Sequence, residues 1–310
     1  MSKILAVFGA TGQQGGSVVR FILNDPELSQ RYRIRAITRD VNSDKSRKLK
    51  EKVEVVRGDV YDVESLRAAL DGVDFVFLMT APNLTTKGHT PEFDNIKRVA
   101  DTAVYCHVEY LIFSTLPDVA RLSGGKYTKA HPFDSKSRAE AYIRLLPIKK
   151  AFFCPATFME NILKVPYWAP QKTKDGSWEM AMHLSPQTRV PWIDITGDTG
   201  KFVGSILANP KKYEGKTFHA AVGHYTLEEL VAIESELTGI NISYQKISAA
   251  EFKERAPYLP DVFIEGFAFY EEFGYFGPDA DNLVAWALEN ARGQPTSLED
   301  FLRAHSFKLE

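Results

Sequence analysis

Residues 4–16 read Ile4-Leu5-Ala6-Val7-Phe8-Gly9-Ala10-Thr11-Gly12-Gln13-Gln14-Gly15-Gly16. An apolar run of strand length ends in a GxxGxxG turn, and an amphipathic stretch, Gln14–Asn24, follows it. The run is far too short for a membrane span or a signal-peptide core, so it reads as a buried strand opening the fold. Each glycine has its own reason. Gly9 permits a tight turn, Gly12 lets the backbone approach a pyrophosphate, and Gly15 lets the helix pack closely on the strand. Backbone N–H groups at the helix start then face the phosphates, and the helix dipole favours the negative charge. Strand before and helix after make this a dinucleotide-binding turn, with Gly9, Thr11, Gly12, Gln13, Gln14 and Gly15 as contacts.

The same unit recurs outward from this turn. Strands are expected at Arg33–Thr38, Val53–Arg57, Phe75–Met79, Tyr110–Phe113 and Lys150–Cys154. Helices near 43–50, 63–70, 93–105 and 132–145 alternate with them, as in βαβ crossovers. Beyond Ala156 the pattern loosens. Residues 156–190 carry Gly, Pro and Trp without regular spacing, and helices are expected at 199–207, 227–237, 249–255 and 298–304, with strands at 216–220 and 242–246. The predicted class is α/β: a Rossmann-type doubly wound parallel sheet with a smaller mixed α/β C-terminal subdomain. The division is a dinucleotide-binding domain over 1–155, joined by later sheet elements from about 190–220. An interleaved substrate- or partner-binding subdomain covers 156–310.

Composition narrows the class. The 310 residues are 44% hydrophobic and 25% charged, which excludes wholesale disorder. A net charge of −2 supplies no basic field, so direct nucleic-acid binding is not expected. Two cysteines, Cys106 and Cys154, make neither a disulfide framework nor a zinc site. The expectation is an intracellular protein, cytoplasmic and/or nuclear, with no membrane contact.

The choice of dinucleotide rests on the end of the second strand, Ile37-Thr38-Arg39-Asp40. An acid there takes the ribose 2′-OH of NAD, whereas a cation suits the 2′-phosphate of NADP. Arg39 offers a planar fork for that phosphate, with Lys45 and Arg47 close behind. NADP(H) is therefore favoured over NAD(H). Asp40 keeps NAD open, and the basic run also reads as a solvated helix face. Asp59 is placed either to accept from the adenine amino group or to cap the next turn.

Together these residues resemble the NmrA-like family, an atypical branch of the short-chain dehydrogenase/reductase superfamily. The likeness extends to Thr38-Arg39, Gly58-Asp59, Thr80-Ala81-Pro82, Phe113-Ser114 and Phe133-Asp134-Ser135-Lys136. It continues through Pro155-Ala156-Thr157-Phe158-Met159-Glu160-Asn161 and the stretch Asp194–Gly200. It spans essentially the whole chain. The resemblance implies a Rossmann domain with a smaller C-terminal subdomain, and cofactor contacts from Thr80, Ala81, Pro82, Pro155, Phe158 and Asn161. It also implies one of two roles, since the family holds both reductases and catalytically silent sensors that bind regulatory proteins.

Reductases of the wider superfamily carry a Tyr-x-x-x-Lys pair on one helix face. The lysine holds the ribose and lowers the tyrosine pKa, and the tyrosine moves the proton. Here the lysine candidate is Lys136, the strand-end serine is Ser114, and the tyrosine position holds Pro132. Proline suits a first helical turn, with His131 at the cap. His131 is the substitute acid put forward with Ser114 and Lys136, and Tyr127 and Asp134 lie nearby. Each has a plainer reading: Ser114 capping a turn, Lys136 at the surface, His131 structural. Aromatics crowd the second half, including Trp168, Trp192 and Phe263–Phe276, as a pocket lining, a helix–helix core or a partner patch.

The function expected is an NADP(H)-binding, redox-state-sensing regulator lacking the usual tyrosine, with a protein partner. The alternative is an atypical NADPH-dependent reductase of a small apolar carbonyl, imine or alkene. Whether the chain is an enzyme stays open at this point.

Overall fold

Among the described residues the main sheet has seven parallel strands, in the spatial order 217–220, 149–155, 110–114, 75–78, 3–8, 32–38 and 54–57. In chain order these are β1 (Lys3–Phe8), β2 (Tyr32–Thr38), β3 (Glu54–Arg57), β4 (Phe75–Leu78), β5 (Tyr110–Ser114), β6 (Lys149–Pro155) and β11 (Thr217–Ala220). The coordinates are those of a computed structural model, which describes residues 2–81, 92–257 and 260–309. Pro82, one of the expected cofactor contacts, lies outside the described residues.

The central strands are apolar on both faces because both faces are covered. Leu5, Val7, Phe75, Phe77, Tyr110 and Ile112 join the core on one side of the sheet. Their neighbours Ala6, Phe8, Val76, Leu78, Leu111 and Phe113 join the core on the other. The parallel register brings the strand ends level: Phe8 pairs with Ile37, Leu78 with Phe113, and Ser114 with Phe153. The loops after β1, β2, β4, β5 and β6 therefore open on one edge. The order of strands reverses at β1, with β2 to one side and β4 to the other, which is where such sheets bind ligands.

The second half is more regular than its sequence suggests. Two small sheets stand beside the main one. β7 (Thr157–Phe158), β10 (Arg189–Ile193) and β12 (Gly223–Thr226) form one; β8 (Gln171–Lys172), β9 (Trp178–Met182) and β13 (Ile242–Lys246) form the other. A helix covers Ile195–Ala208, starting earlier than the expected 199–207 because Gly197 argues against helix by propensity; Gly200 and Gly204 lie within it. Those glycines are contact points instead. A Cβ on Gly200 would lie 2.3 Å from Phe21 Cβ and 2.8 Å from the Ser17 carbonyl oxygen, so this helix packs backbone-close on the first helix, Gln13–Asn24. The aromatics at 263–276 belong to the helix Asp261–Phe273 and the turn after it. Phe267, Phe269, Tyr270, Tyr275 and Phe276 are buried in the same core as Trp168 and Trp192, which is the core reading of that run. A further helix, Ala280–Glu289, was not expected.

Candidate functional site

The three glycines of the turn differ in what they do. Gly9 sits at φ +67°, a left-handed conformation that L residues avoid, and a Cβ there would meet the Met79 sulfur at 2.4 Å. A Cβ on Gly15 would lie 2.4 Å from the Gly9 carbonyl oxygen and 2.7 Å from that of Phe8. The chain itself therefore demands both. Gly12 is different: its φ is −99°, and its Cβ would touch only the Gly9 oxygen, at 3.3 Å. Nothing in the protein strictly requires glycine there, which fits a position kept open for a ligand. No side chain caps the first helix, and its first turn holds no acid. A pyrophosphate group suits these features.

A cleft of about 370 Å³ runs beside this turn, lined among others by Gly9, Thr11, Thr38, Arg39, Asp40, Gly58, Tyr61, Thr80, Ala81 and Glu92. On the β2 side, Arg39 is exposed and makes no hydrogen bond or ion pair among the described residues. Asp40 beside it is occupied. Its carboxylate accepts from the Asn42 N–H at 2.8 Å, and its carbonyl accepts from the hydroxyls of Ser43 and Ser46. Lys45 is exposed at the start of the helix Asp44–Lys50 and does not line the cleft, while Arg47 pairs with Asp44. Asp59 forms an Asx turn, accepting from the Tyr61 N–H at 3.0 Å through one oxygen. Tyr61 itself stands 60% exposed at the cleft wall, where an adenine ring could stack.

The β4 side is built differently. Lys136, on the helix His131–Leu145, is only 6% exposed. Its ammonium lies 2.7 Å from Glu92 Oε1, 2.9 Å from the Thr80 carbonyl oxygen and 2.9 Å from Thr80 Oγ1. An ammonium has three N–H groups and no lone pair, so all three are used. The Thr80 hydroxyl must then donate onward, and it does, to Glu92 Oε1 at 2.6 Å. Burial pushes the Lys136 pKa down, and the Glu92 carboxylate opposes that shift. Glu92, 3% exposed, thus has one oxygen accepting twice, while its other oxygen, Oε2, has no partner among the described residues.

The remaining candidates are dispersed or engaged. Ser114 is buried at the end of β5 and donates to the Gln14 side chain at 2.7 Å, tying that strand to the first helix. Thr115 Oγ1 reaches the Lys136 carbonyl at 3.4 Å, so the strand end and the lysine helix do adjoin. His131 is exposed and is the first residue of its helix rather than the cap; Ala130 occupies the cap and Pro132 the next helical position. Tyr127 donates to Glu272 at 2.9 Å and packs edge-on to Phe269 and Phe273, which fastens it to the helix Asp261–Phe273. Burial, then the Glu272 charge, push its pKa up. Pro155 ends β6 and its carbonyl accepts from the Tyr275 hydroxyl; Phe158 is half-buried on β7, and Asn161 lies on the short helix Glu160–Lys164. Glu160 between them caps the helix Ile195–Ala208, accepting from the N–H groups of Ile195 and Thr196.

Residues not singled out from the sequence are Glu92, Asn95, Met79 and Tyr61, all on the cleft wall. Glu92 opens a helix, where acids are common, so its type alone carried no signal. Among the described residues no metal-binding cluster occurs, and no helix is long and apolar enough to cross a membrane.

A family model described as NmrA-like family matches residues 1–302. An NmrA-like family domain-containing oxidoreductase, FrzB of Cladobotryum sp, is 32% identical over 99% of this chain and 97% of its own. An NmrA-like family domain-containing protein of Dictyostelium discoideum is 29% identical over the full length of both. Among solved structures, NmrA, a negative transcriptional regulator crystallised with NADP, superposes with a TM-score of 0.77 at 20% identity, covering 97% of this chain and 94% of that one. The same regulator has been solved with NAD, at a TM-score of 0.77, 19% identity and coverage of 99% and 98%.

Proposed function

The chain belongs to the NmrA-like family, and from that premise we propose that it binds NADP(H) and acts as an oxidoreductase whose site passes hydride without supplying a proton. When bound, the reduced dinucleotide supplies the hydride. The chain's own part is to hold it: the glycine turn and first helix for the pyrophosphate, Arg39 for the 2′-phosphate, and the Thr80–Glu92–Lys136 group beside the other half. The contrast between an unpaired Arg39 and an occupied Asp40 supports NADP(H) over NAD(H).

The observation that carries the proton-poor reading is the saturation of Lys136. Its N–H groups are all taken, Pro132 stands where a tyrosine would, and Tyr127 is held by Glu272. With Tyr127 engaged and no tyrosine four residues before Lys136 among the described residues, the fitting acceptor is one that arrives already protonated. An iminium carbon takes hydride and becomes a neutral amine with no further proton, whereas a ketone must find one in solvent. The relative named an oxidoreductase, alike over almost its entire length, supports turnover. A second reading, a regulator that reports cofactor state to a protein partner, is favoured by Pro132 standing at the tyrosine position.

The test is NADPH oxidation against a panel of iminium ions, imines, ketones and alkenes, alongside calorimetric titration of the cofactor. Turnover of iminium substrates well above that of matched ketones is expected. Tight NADPH binding with no turnover would support the regulator. Failure to bind any dinucleotide would end both readings.

A further inference from the structure

The two halves of a dinucleotide lie over the two sides of the switch point at β1. Arg39 follows β2, so the phosphorylated adenosine half belongs on that side. Thr80 and Ala81 follow β4, so the nicotinamide ribose belongs on the other. The usual arrangement gives that ribose a lysine ammonium as donor. In this chain the ammonium has nothing left to donate, since Glu92 Oε1, the Thr80 carbonyl and the Thr80 hydroxyl take its three protons.

What the group has left is an acceptor. Glu92 is buried, lines the cleft next to Thr80 and Ala81, and keeps Oε2 without a hydrogen-bond partner among the described residues. Leaving a buried carboxylate oxygen unsatisfied is costly, and such atoms in native proteins usually await a ligand or water. The partners of Oε1 also fix its direction. Lys136 and Thr80 both donate to Oε1, so the carboxylate is held from one side and its second oxygen is set apart from them.

Resting on the dinucleotide reading above, we infer that Glu92 is the group that binds the nicotinamide ribose, accepting a hydrogen bond from a ribose hydroxyl. Lys136 and Thr80 are positioning residues that hold the carboxylate through its other oxygen. The hydroxyl acts as donor here, the reverse of its role toward a lysine. Recognition of the ribose thus passes from a cation to an anion without a change in the lysine's place in the sequence.

Calorimetry with three probes tests this: NADPH, an NADPH analogue lacking the nicotinamide-ribose hydroxyls, and 2′-phospho-ADP, which carries only the adenosine half. The wild type should bind NADPH at least tenfold more tightly than the deoxy analogue. Glu92→Gln, which puts an amide donor or a less basic oxygen at that place, should bind the two alike while holding 2′-phospho-ADP as the wild type does. Equal wild-type affinity for NADPH and the deoxy analogue would overturn the inference, and needs no variant to fold. So would a Glu92→Gln protein that keeps the full discrimination, or one that loses the adenosine half equally. Wild-type protein that binds 2′-phospho-ADP but ignores the ribose hydroxyls would leave the dinucleotide reading standing and remove this one. Binding of no probe would remove both.

Discussion

Two cations flank the cleft, one on each side of β1, and they are opposites. Arg39 projects from the end of β2 into solvent with no partner among the described residues. Lys136 is buried beside the end of β4, and every proton on its ammonium is committed. A motif reads both as positive groups suited to a cofactor. Availability separates them: one can still bind an anion, and the other already has.

That difference predicts unlike costs of removal. Lys136→Met leaves Glu92 buried without its cation, and breaking a buried pair in this way costs about 3–5 kcal/mol. Arg39→Ala removes no hydrogen bond or ion pair among the described residues and should change stability by less than about 0.5 kcal/mol. Urea titration of the two variants measures the gap; equal small effects would mean the buried pair is not formed in solution.

A second carboxylate sharpens the point. Glu234, on the helix Leu227–Thr238, is 0% exposed and neither of its oxygens has a partner among the described residues. Burial alone pushes its pKa well above 4.5. The folded state therefore keeps a proton that the unfolded chain releases, so this group makes stability fall as pH rises from about 4.5 toward its folded pKa. Glu234→Met should remove that slope and stabilise by about 1–3 kcal/mol at pH 8, with less gain at pH 5. An unchanged pH profile would show that Glu234 finds a partner in solution.

The glycine turn gives a smaller contrast, confined to binding. Gly12→Ala should leave the melting temperature near that of the wild type, because its Cβ meets only one atom, at 3.3 Å. NADPH affinity should nevertheless drop at least about tenfold, some 1.4 kcal/mol, since the methyl group takes the space a pyrophosphate needs. Full affinity in that variant would place the ligand elsewhere.

The first half of the fold was legible because its strands are buried on both faces and alternate with helices of ordinary composition. Ile4–Phe8 into Gly9–Gly15 fixed the class, and the parallel sheet bears that out. The second half was less so. The helix expected at 199–207 begins at Ile195, and Gly197 obscured that start; its glycines serve contact with Phe21 and Asp194 rather than flexibility. β9 and β10 are short and carry Trp178, Pro191 and Trp192, which interrupt any alternation. At the site, residue types were legible and pairings were not. The sequence shows a lysine at 136 and a proline at 132, but no local pattern links Glu92 to Thr80 and Lys136. That bond exists only once β4 and two helices meet.

The central claim is that this cleft selects NADP(H) through a free Arg39. Calorimetric titration of NADPH and NADH into the wild type and Arg39→Ala tests it most directly. A charge-assisted bond to phosphate contributes about 1.5–3 kcal/mol, so the wild type should prefer NADPH by about ten- to a hundredfold. Arg39→Ala should lose that preference while binding NADH as before. A wild type that binds both cofactors equally, or a preference that survives the substitution, would contradict the account.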